Sequence, residues 1–99
     1  MPAYAIVCYR TIKDPAKLRE YGKLAQQTLR EHGAIPKVAN MAGIALEGAQ
    51  APNVVVLEFP NIEAARNWYH SPAYQEAAAI RKEAADVDFL LVEGMPARS

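Results

Sequence analysis

Residues 54–59 read Val-Val-Val-Leu-Glu-Phe, the strongest strand signal in the chain. β-Branched and aromatic residues favour strands, and turn residues flank the run at 48–53 before it and at Pro60-Asn61 after it. Because successive side chains of a strand point to opposite faces, Glu58 shares one face with two valines while the other face is wholly apolar. The run therefore predicts a strand that is covered on both sides.

Helix signals lie on both sides of this strand. Asp14-Pro15 combines a good N-cap with a proline at the first helical position, and Gly33 provides a left-handed end to the helix that starts there. Asn61 caps a second helix. Ser71-Pro72 interrupts that helix, since the residue before a proline disfavours helical angles, and a further helical stretch extends to about Ala85.

Three further strands complete the pattern. Residues 3–10 and 87–93 are apolar and rich in strand formers, whereas residues 35–47 make a poorer strand because they contain a proline. The order is then strand, helix, strand, strand, helix, strand, which is the α+β ferredoxin-like β-α-β-β-α-β sandwich. We expect a single domain over residues 1–95 and a loose tail over residues 96–99.

Both faces of the predicted sheet are apolar. Two helices cover one face of a four-stranded sheet, and strands whose other face met water would alternate apolar and polar residues. Residues 3–10, 54–59 and 87–93 do not alternate in this way. We expect a homodimer that buries the second face, because two-fold dimers are the commonest oligomers. The alternative is a monomer whose apolar face binds another protein.

The composition argues against several classes of protein. The formal net charge is zero and no basic run occurs, so the phosphate contacts of a nucleic-acid binder have no counterpart. The longest apolar runs are too short to cross a bilayer. The one cysteine, Cys8, cannot form an internal disulfide. We therefore expect a cytoplasmic protein that binds neither nucleic acid nor membrane.

Residues 54–75 carry a more specific pattern. In this run Glu-Phe-Pro is followed by Trp-Tyr-His-Ser-Pro-Ala-Tyr-Gln. The pattern resembles the DUF1330 family, a domain of unknown function, and the resemblance covers nearly the whole chain. It implies a dimeric α/β barrel, the arrangement shared with small monooxygenases, lactone isomerases and stress-responsive dimeric barrel proteins. It implies no established activity.

Two stretches depart from what this family tends to show. After the first helix the family has two glycines and an aromatic residue, where this chain reads Gly-Ala-Ile-Pro-Lys-Val at 33–38. Before the valine-rich strand the family has an arginine, where this chain has Asn53. If either stretch lines the pocket in relatives, we expect a different ligand here.

Glu58 and Arg81 are the candidate catalytic residues. A carboxylate inside an apolar strand is costly unless it is paired or protonated, and such groups are frequent at functional sites. Arg81 lies among alanines on the last helical stretch, where its guanidinium could bind a carboxylate. Glu58 as base, with Arg81 or a tyrosine hydroxyl steadying an oxyanion, would support proton abstraction beside a carbonyl or cofactor-free oxidation.

A structural interpretation competes with this one. In it the protein is a non-catalytic structural or regulatory dimer, and Glu58 forms a buried ion pair with Arg81 that holds helix to sheet. Glu58 could equally pair with Arg10, or reach water near the end of its strand.

Aromatic side chains are the candidate substrate-binding residues of a pocket between sheet and helices. Trp68, Tyr69 and Tyr74 cluster around Ser71-Pro72, and core packing is the alternative role for them. Tyr4 is the candidate from the first strand. The ligand expected in such a pocket is a small apolar or acidic metabolite.

The sequence indicates no cofactor and no metal site. His32 and His70 share no metal-ligand spacing with carboxylates, and a nucleophilic pair of His70 with Ser71 is disfavoured because adjacent side chains at a helix end point apart. No glycine motif for phosphate binding is present. Cys8 is expected to be a small residue packed in a strand.

Overall fold

The computed structural model describes residues 1–96, which form one antiparallel sheet and three helices. The strands are β1 (Ala3–Ile12), β2 (Ile35–Met41), β3 (Asn53–Phe59) and β4 (Ala85–Glu93). The helices are α1 (Pro15–Glu31), α2 (Ile62–His70) and α3 (Pro72–Ala84). Of the predicted tail, Pro96 belongs to no helix or strand, and residues 97–99 lie outside the described residues.

The strand order is β2-β3-β1-β4, with every neighbouring pair antiparallel. The predicted α+β ferredoxin-like fold is therefore confirmed, with its second helix divided in two. Ser71 accounts for the division: its backbone is extended, and its hydroxyl both donates to the Trp68 carbonyl at 2.8 Å and accepts from the Tyr74 amide at 3.2 Å. One side chain thus ends α2 and caps α3.

The N-terminal caps predicted for α1 and α2 are present. The Asp14 carboxylate accepts from the Lys17 amide at 3.2 Å at the start of α1, and the Asn61 side chain accepts from the Ala64 amide at 2.8 Å at the start of α2. After α1, Gly33 adopts a φ of +69°, which a residue without a Cβ accepts at no steric cost. These local signals fix where the helices sit along the sheet.

The two faces of the sheet differ in what covers them. Residues paired across antiparallel strands share a face, so β1 and its partners define both. The helix face lies beneath the helices and carries Ala3, Ala5, Val7, Tyr9, Val55, Leu57, Phe59, Val87, Phe89 and Leu91. The open face carries Tyr4, Ile6, Cys8, Ile35, Val38, Met41, Val54, Val56, Glu58, Asp88, Leu90 and Val92.

Small residues on β1 make room for large rings in the core. Ala3 and Ala5 are completely buried, and Phe59 and Trp68 pack nearby with ring centroids 5.2 Å apart. Tyr74, from α3, lies against Trp68 at 4.2 Å between centroids and is also fully buried. The core is therefore an aromatic cluster that rests on alanines, and it occupies the helix face alone.

The strand predicted over residues 35–47 is shorter than expected and ends at Met41. Its pairing with β3 shifts register twice, and all seven of its residues are exposed. The chain then folds back on itself: the Gly43 amide donates to the Ala51 carbonyl at 2.9 Å, and the Gln50 side chain bonds to the backbone of Gly43 and Ala45. These local bonds take the place of ladder bonds to β3.

Candidate functional site

Glu58 lies on the open face, beside Tyr4. The two residues are directly paired between β3 and β1, and the Tyr4 hydroxyl donates to Glu58 Oε2 at 3.2 Å. This hydrogen bond, with a smaller contribution from desolvation, raises the pKa of the Tyr4 phenol above its ordinary value. Tyr4 is therefore a donor at neutral pH, and Glu58 has a polar partner within its own sheet.

Arg81 lies on the opposite side of the sheet. It projects from α3 into the helix layer, is 3% exposed, and has its Cζ 5.8 Å from the ring centroid of Tyr21 and 5.2 Å from that of Phe89. The joint site and the buried ion pair predicted for Glu58 and Arg81 are therefore both wrong. Strand alternation is the reason, since Glu58 shares its face with Val54 and Val56, whereas the helices pack on the face of Leu57 and Phe59.

Arg81 has no carboxylate partner among residues 1–96. The ion pairs there are all exposed and join Arg10 to Asp88 at 3.2 Å, Lys13 to Asp86 at 3.3 Å, and Lys17 to Glu83 at 2.7 Å. Arg81 Nε is buried and makes no hydrogen bond within the described residues. Aromatic faces stabilise such a cation, but they offer no acceptor to its Nε–H.

Two tyrosine hydroxyls meet beside Arg81. Those of Tyr21 and Tyr74 share a hydrogen bond of 2.8 Å, and the rings are 6.2 Å apart in an edge-on arrangement. Burial raises the pKa of the Tyr21 phenol well above its ordinary value, and it raises the pKa of Tyr74 against the opposing effect of the bond to Tyr21 and of the Arg81 charge. Both phenols stay protonated at neutral pH; one of them donates the shared hydrogen bond, and the one that accepts it keeps its own O–H for a second partner.

A cavity of about 320 Å³, which we call the main cavity, lies between α1 and the helix face. Its polar lining residues are Tyr9, Tyr21, Gln26, Asn40 and Asn53, and the rest of the wall is mostly apolar. Asn53 Oδ1 is buried and has no hydrogen-bond partner among the described residues. Apolar pockets with a few convergent polar groups are the usual form of small-molecule sites.

The sequence-predicted binding residues are distributed over three places. Trp68 lines the main cavity and donates its indole N–H to Thr28 Oγ1 at 2.9 Å, while Tyr74 is fully buried behind it. Tyr69 lines a different cavity, and Tyr4 is on the open face. Packing therefore accounts for most of the Trp68 and Tyr74 surface, as the alternative interpretation of these residues held.

Asn53 and Tyr21 are two of the polar cavity residues that are not among the candidates predicted from the sequence. Asn53 was identified as a departure from the family pattern, and Pro36, from the other departing stretch, also lines the main cavity. Tyr21 lies on α1, one turn before the buried Ala25. A tyrosine on a buried helix face, whose hydroxyl requires a partner, was the available signal for a polar group here.

A second cavity of about 400 Å³ opens beside β4, at the edge of the sheet, and we call it the β4-edge cavity. Its charged lining residues are Arg10, Arg81, Lys82 and Asp86. Phe89 lines both this cavity and the main one. The buried guanidinium of Arg81 is thus part of the wall of the β4-edge cavity.

The remaining candidates show no cluster of reactive groups. Over residues 1–96 no three histidine, cysteine or acidic side chains are grouped to hold a metal ion. His32 donates from Nδ1 to the Thr28 carbonyl at 3.0 Å, and Cys8 is a partly buried residue of the open face. Among the described helices, none is both long and apolar enough to cross a membrane.

The sequence profile of a domain of unknown function, DUF1330, matches residues 2–95. Curated proteins gave no match.

Several solved structures share the fold. The RPA0582 protein of unknown function from Rhodopseudomonas palustris is 19% identical, with a TM-score of 0.74 over 97% of this chain and 84% of that one. A mutant of SnoaB, a cofactor-independent oxygenase from Streptomyces nogalater, is 11% identical, with a TM-score of 0.69 over 97% and 95%. A dimeric ferredoxin-like protein of unknown function from Thermobifida fusca is 15% identical, with a TM-score of 0.57 over 94% and 91%. At these identities the likeness concerns the fold.

Proposed function

Since the chain belongs to the DUF1330 family of domains of unknown function, we propose a function from its own geometry: the protein binds a small, largely apolar molecule in the main cavity. The ligand carries a hydrogen-bond donor, such as a hydroxyl, that meets Asn53. The cavity volume of about 320 Å³ suits a molecule of one or two rings.

The observation that carries this proposal is the unpartnered oxygen of Asn53. A buried acceptor without a hydrogen bond costs about 1–3 kcal/mol, so native proteins seldom leave one unsatisfied. Asn53 Oδ1 is in that condition at the wall of an apolar cavity. A ligand hydroxyl would satisfy it, and the Tyr21 hydroxyl lies in the same wall, where it donates to a ligand oxygen when it accepts the shared bond from Tyr74.

Access to the cavity supports the proposal. Gly22 lies in the middle of α1, where glycine costs about 1 kcal/mol relative to alanine. It also lines the main cavity, and a Cβ built there would meet no atom within 4 Å. A larger residue at position 22 would favour the helix, but it would also narrow the cavity. The glycine therefore leaves space open beside the helix.

Binding is better supported than base catalysis. The lining of the main cavity in the described chain has no carboxylate and no histidine, and Glu58, the predicted base, is on the other face of the sheet. The Tyr21 phenol could steady a developing oxyanion as a donor. Chemistry of the kind named for SnoaB, a cofactor-independent oxygenase, would therefore require a substrate that supplies the reactive group itself.

The open face favours the homodimer that the sequence predicts. Leu90 is 61% exposed and Met41 64% exposed on a face that no helix of the described chain covers. Exposed apolar patches of this kind mark interaction surfaces, and two of the structural neighbours are described as dimeric. We propose a single-domain, cytoplasmic homodimer in which a second copy covers this face. A purely structural dimer remains the second candidate function.

A pair of naphthalenes tests the ligand proposal. 1-Naphthol has a hydroxyl donor, and 1-methoxynaphthalene has the same rings without it. Binding can be followed by NMR through the indole N–H of Trp68, the one tryptophan of the chain, which lines the main cavity. We expect saturable binding of 1-naphthol, about five- to ten-fold tighter than that of the methyl ether, since one hydrogen bond contributes about 1 kcal/mol.

Two variants locate this binding. Asn53→Leu should remove the preference for 1-naphthol, and Gly22→Leu should weaken both ligands by narrowing the cavity. Asn67→Leu, at an exposed position of α2, is the matched control and should change neither. Failure of both naphthalenes to saturate, or a preference that persists in Asn53→Leu, would contradict the proposal.

A further inference from the structure

We propose that the β4-edge cavity is a second ligand site, which binds the carboxylate of an aromatic acid, with Arg81 as its anchor. This site is separate from the main cavity and goes beyond the function proposed for it. Its elements are an excess of positive charge, a buried arginine whose Nε–H has no acceptor within residues 1–96, and two aromatic walls.

The described residues do not neutralise the positive charge of the lining. Arg10 and Asp86 are each engaged, Arg10 with Asp88 at 3.2 Å and Asp86 with Lys13 at 3.3 Å. Arg81 and Lys82 take part in no ion pair over residues 1–96. The cavity therefore presents two uncompensated cations, and an anion is the ligand that this arrangement attracts.

Arg81 is held in a form that suits a carboxylate. Removing a charge from water is costly unless hydrogen-bonded groups of opposite charge compensate, and Arg81 is 3% exposed. The rings of Tyr21 and Phe89, and its position in the last turn of α3, stabilise the positive charge. None of these accepts a hydrogen bond from the buried Nε, whereas a carboxylate has two oxygens that match the guanidinium fork.

The walls indicate a ring attached to that carboxylate. Tyr69 and Phe89 both line the β4-edge cavity, with their ring centroids 5.2 Å apart and their planes at 62°. Aromatic rings pack favourably edge-on or offset against such walls. A flat aromatic acid could place its ring against Tyr69 and Phe89 and its carboxylate at Arg81.

Benzoate and benzamide test this inference, because they share shape but differ in charge. The reporter is the Arg81 Nε–H resonance in the intact protein, assigned by its absence from Arg81→Lys. We expect benzoate to shift this resonance saturably and benzamide to bind at least about ten-fold more weakly, as for loss of a charge-assisted hydrogen bond. The affinity for benzoate should also fall as the salt concentration rises.

Variants separate this site from the main cavity. Arg81→Lys should weaken benzoate binding at least about ten-fold because it removes the planar guanidinium fork. Lys82→Gln, at an exposed position, should weaken it about two- to three-fold. Arg66→Lys on the surface of α2 is the control and should have no effect. Asn53→Leu should leave benzoate binding unchanged, so that failure of this site and failure of the main cavity give different results.

Equal binding of benzoate and benzamide to the unaltered protein would overturn the inference, and so would unchanged benzoate affinity in folded Arg81→Lys. If Arg81→Lys does not fold, the comparison of the two ligands together with Lys82→Gln decides. A benzoate titration that leaves the Arg81 Nε–H resonance in place, while shifting others, would also exclude the site.

Discussion

The helix face and the open face of the sheet contain similar residues and have different surroundings. On β3, Phe59 is 1% exposed beneath the helices, while the adjacent Glu58 is partly exposed on the other side. The two candidate charges also have different surroundings: Glu58 accepts a hydrogen bond from a tyrosine of the neighbouring strand, whereas Arg81 lies between rings and its Nε has no acceptor in the described chain. The helices of the chain therefore cover one face, whereas the other face leaves apolar residues such as Leu90 exposed.

The largest difference in stability between the two faces should be seen when Phe59 is replaced. Phe59→Ala removes a fully buried ring that packs on Trp68, and we expect a loss of about 3–5 kcal/mol in the free energy of unfolding. Glu58→Ala, one residue away, should cost about 1 kcal/mol or less, because it removes one hydrogen bond at a partly exposed site. Urea unfolding at fixed protein concentration measures both. Comparable losses would mean that Glu58 is part of the folded core.

The next effect concerns the open face. Leu90→Glu places a charge in the proposed interface, and we expect the dimer dissociation constant to rise at least about ten-fold, since a buried leucine contributes about 1.5–3 kcal/mol. Leu24→Glu, on an exposed part of α1, is the matched substitution and should leave association unchanged. Sedimentation equilibrium supplies the constants. If both variants associate like the unaltered chain, a second copy does not cover the open face.

A third effect depends on pH and belongs to the helix face. Burial holds the pKa of Tyr21 well above 10, so the folded chain keeps a proton that the unfolded chain releases near pH 10. The contribution of Tyr21 is therefore complete below pH 10 and is lost as the pH rises further. One retained proton corresponds to a slope of about 1.4 kcal/mol per pH unit.

Tyr21→Phe isolates this contribution. Urea unfolding between pH 9 and pH 11 measures how steeply the free energy of unfolding falls with pH. This slope should be smaller for the variant than for the unaltered chain, by the equivalent of about one proton. Tyr9, whose pKa burial also raises, contributes to both proteins and cancels in the difference. Tyr74 does not cancel, because the bond to Tyr21 lowers its pKa, so the same comparison is repeated in a Tyr74→Phe background. Identical slopes would show that Tyr21 ionises as easily in the folded protein as in the unfolded one.

Local signals in the sequence were sufficient for the fold. Asp14 and Asn61 cap helices as predicted, the break predicted at Ser71-Pro72 is present, and the order of elements follows from period and turn residues. The extent of β2 could not be predicted in the same way. Its end is decided by bonds within residues 43–51, which replace pairing with β3 and leave no clear mark in the hydrophobic pattern.

The site was predicted less well, for a reason of geometry. Alternation shows that Glu58 and Val56 share a face, but both faces of β3 are apolar, so the pattern does not show which one the helices cover. That choice depends on packing between distant segments, such as the fit of Trp68 over the alanines of β1. Arg81, which the sequence marks as a charge among alanines, is buried in the helix layer, and its surroundings depend on the same long-range packing.

The smallest effect should come from Tyr4. Its hydroxyl bonds to Glu58 at 3.2 Å on the open face, where water competes for both groups in the monomer. Tyr4→Phe should therefore change the stability of the monomeric Leu90→Glu protein only slightly. In the dimer the same bond would be shielded, and its removal would leave a carboxylate unpaired, so the same substitution should lower the stability clearly more. Measuring Tyr4→Phe in both backgrounds thus reports whether a second copy covers Glu58, and equal small losses in the two would mean that the open face remains in water.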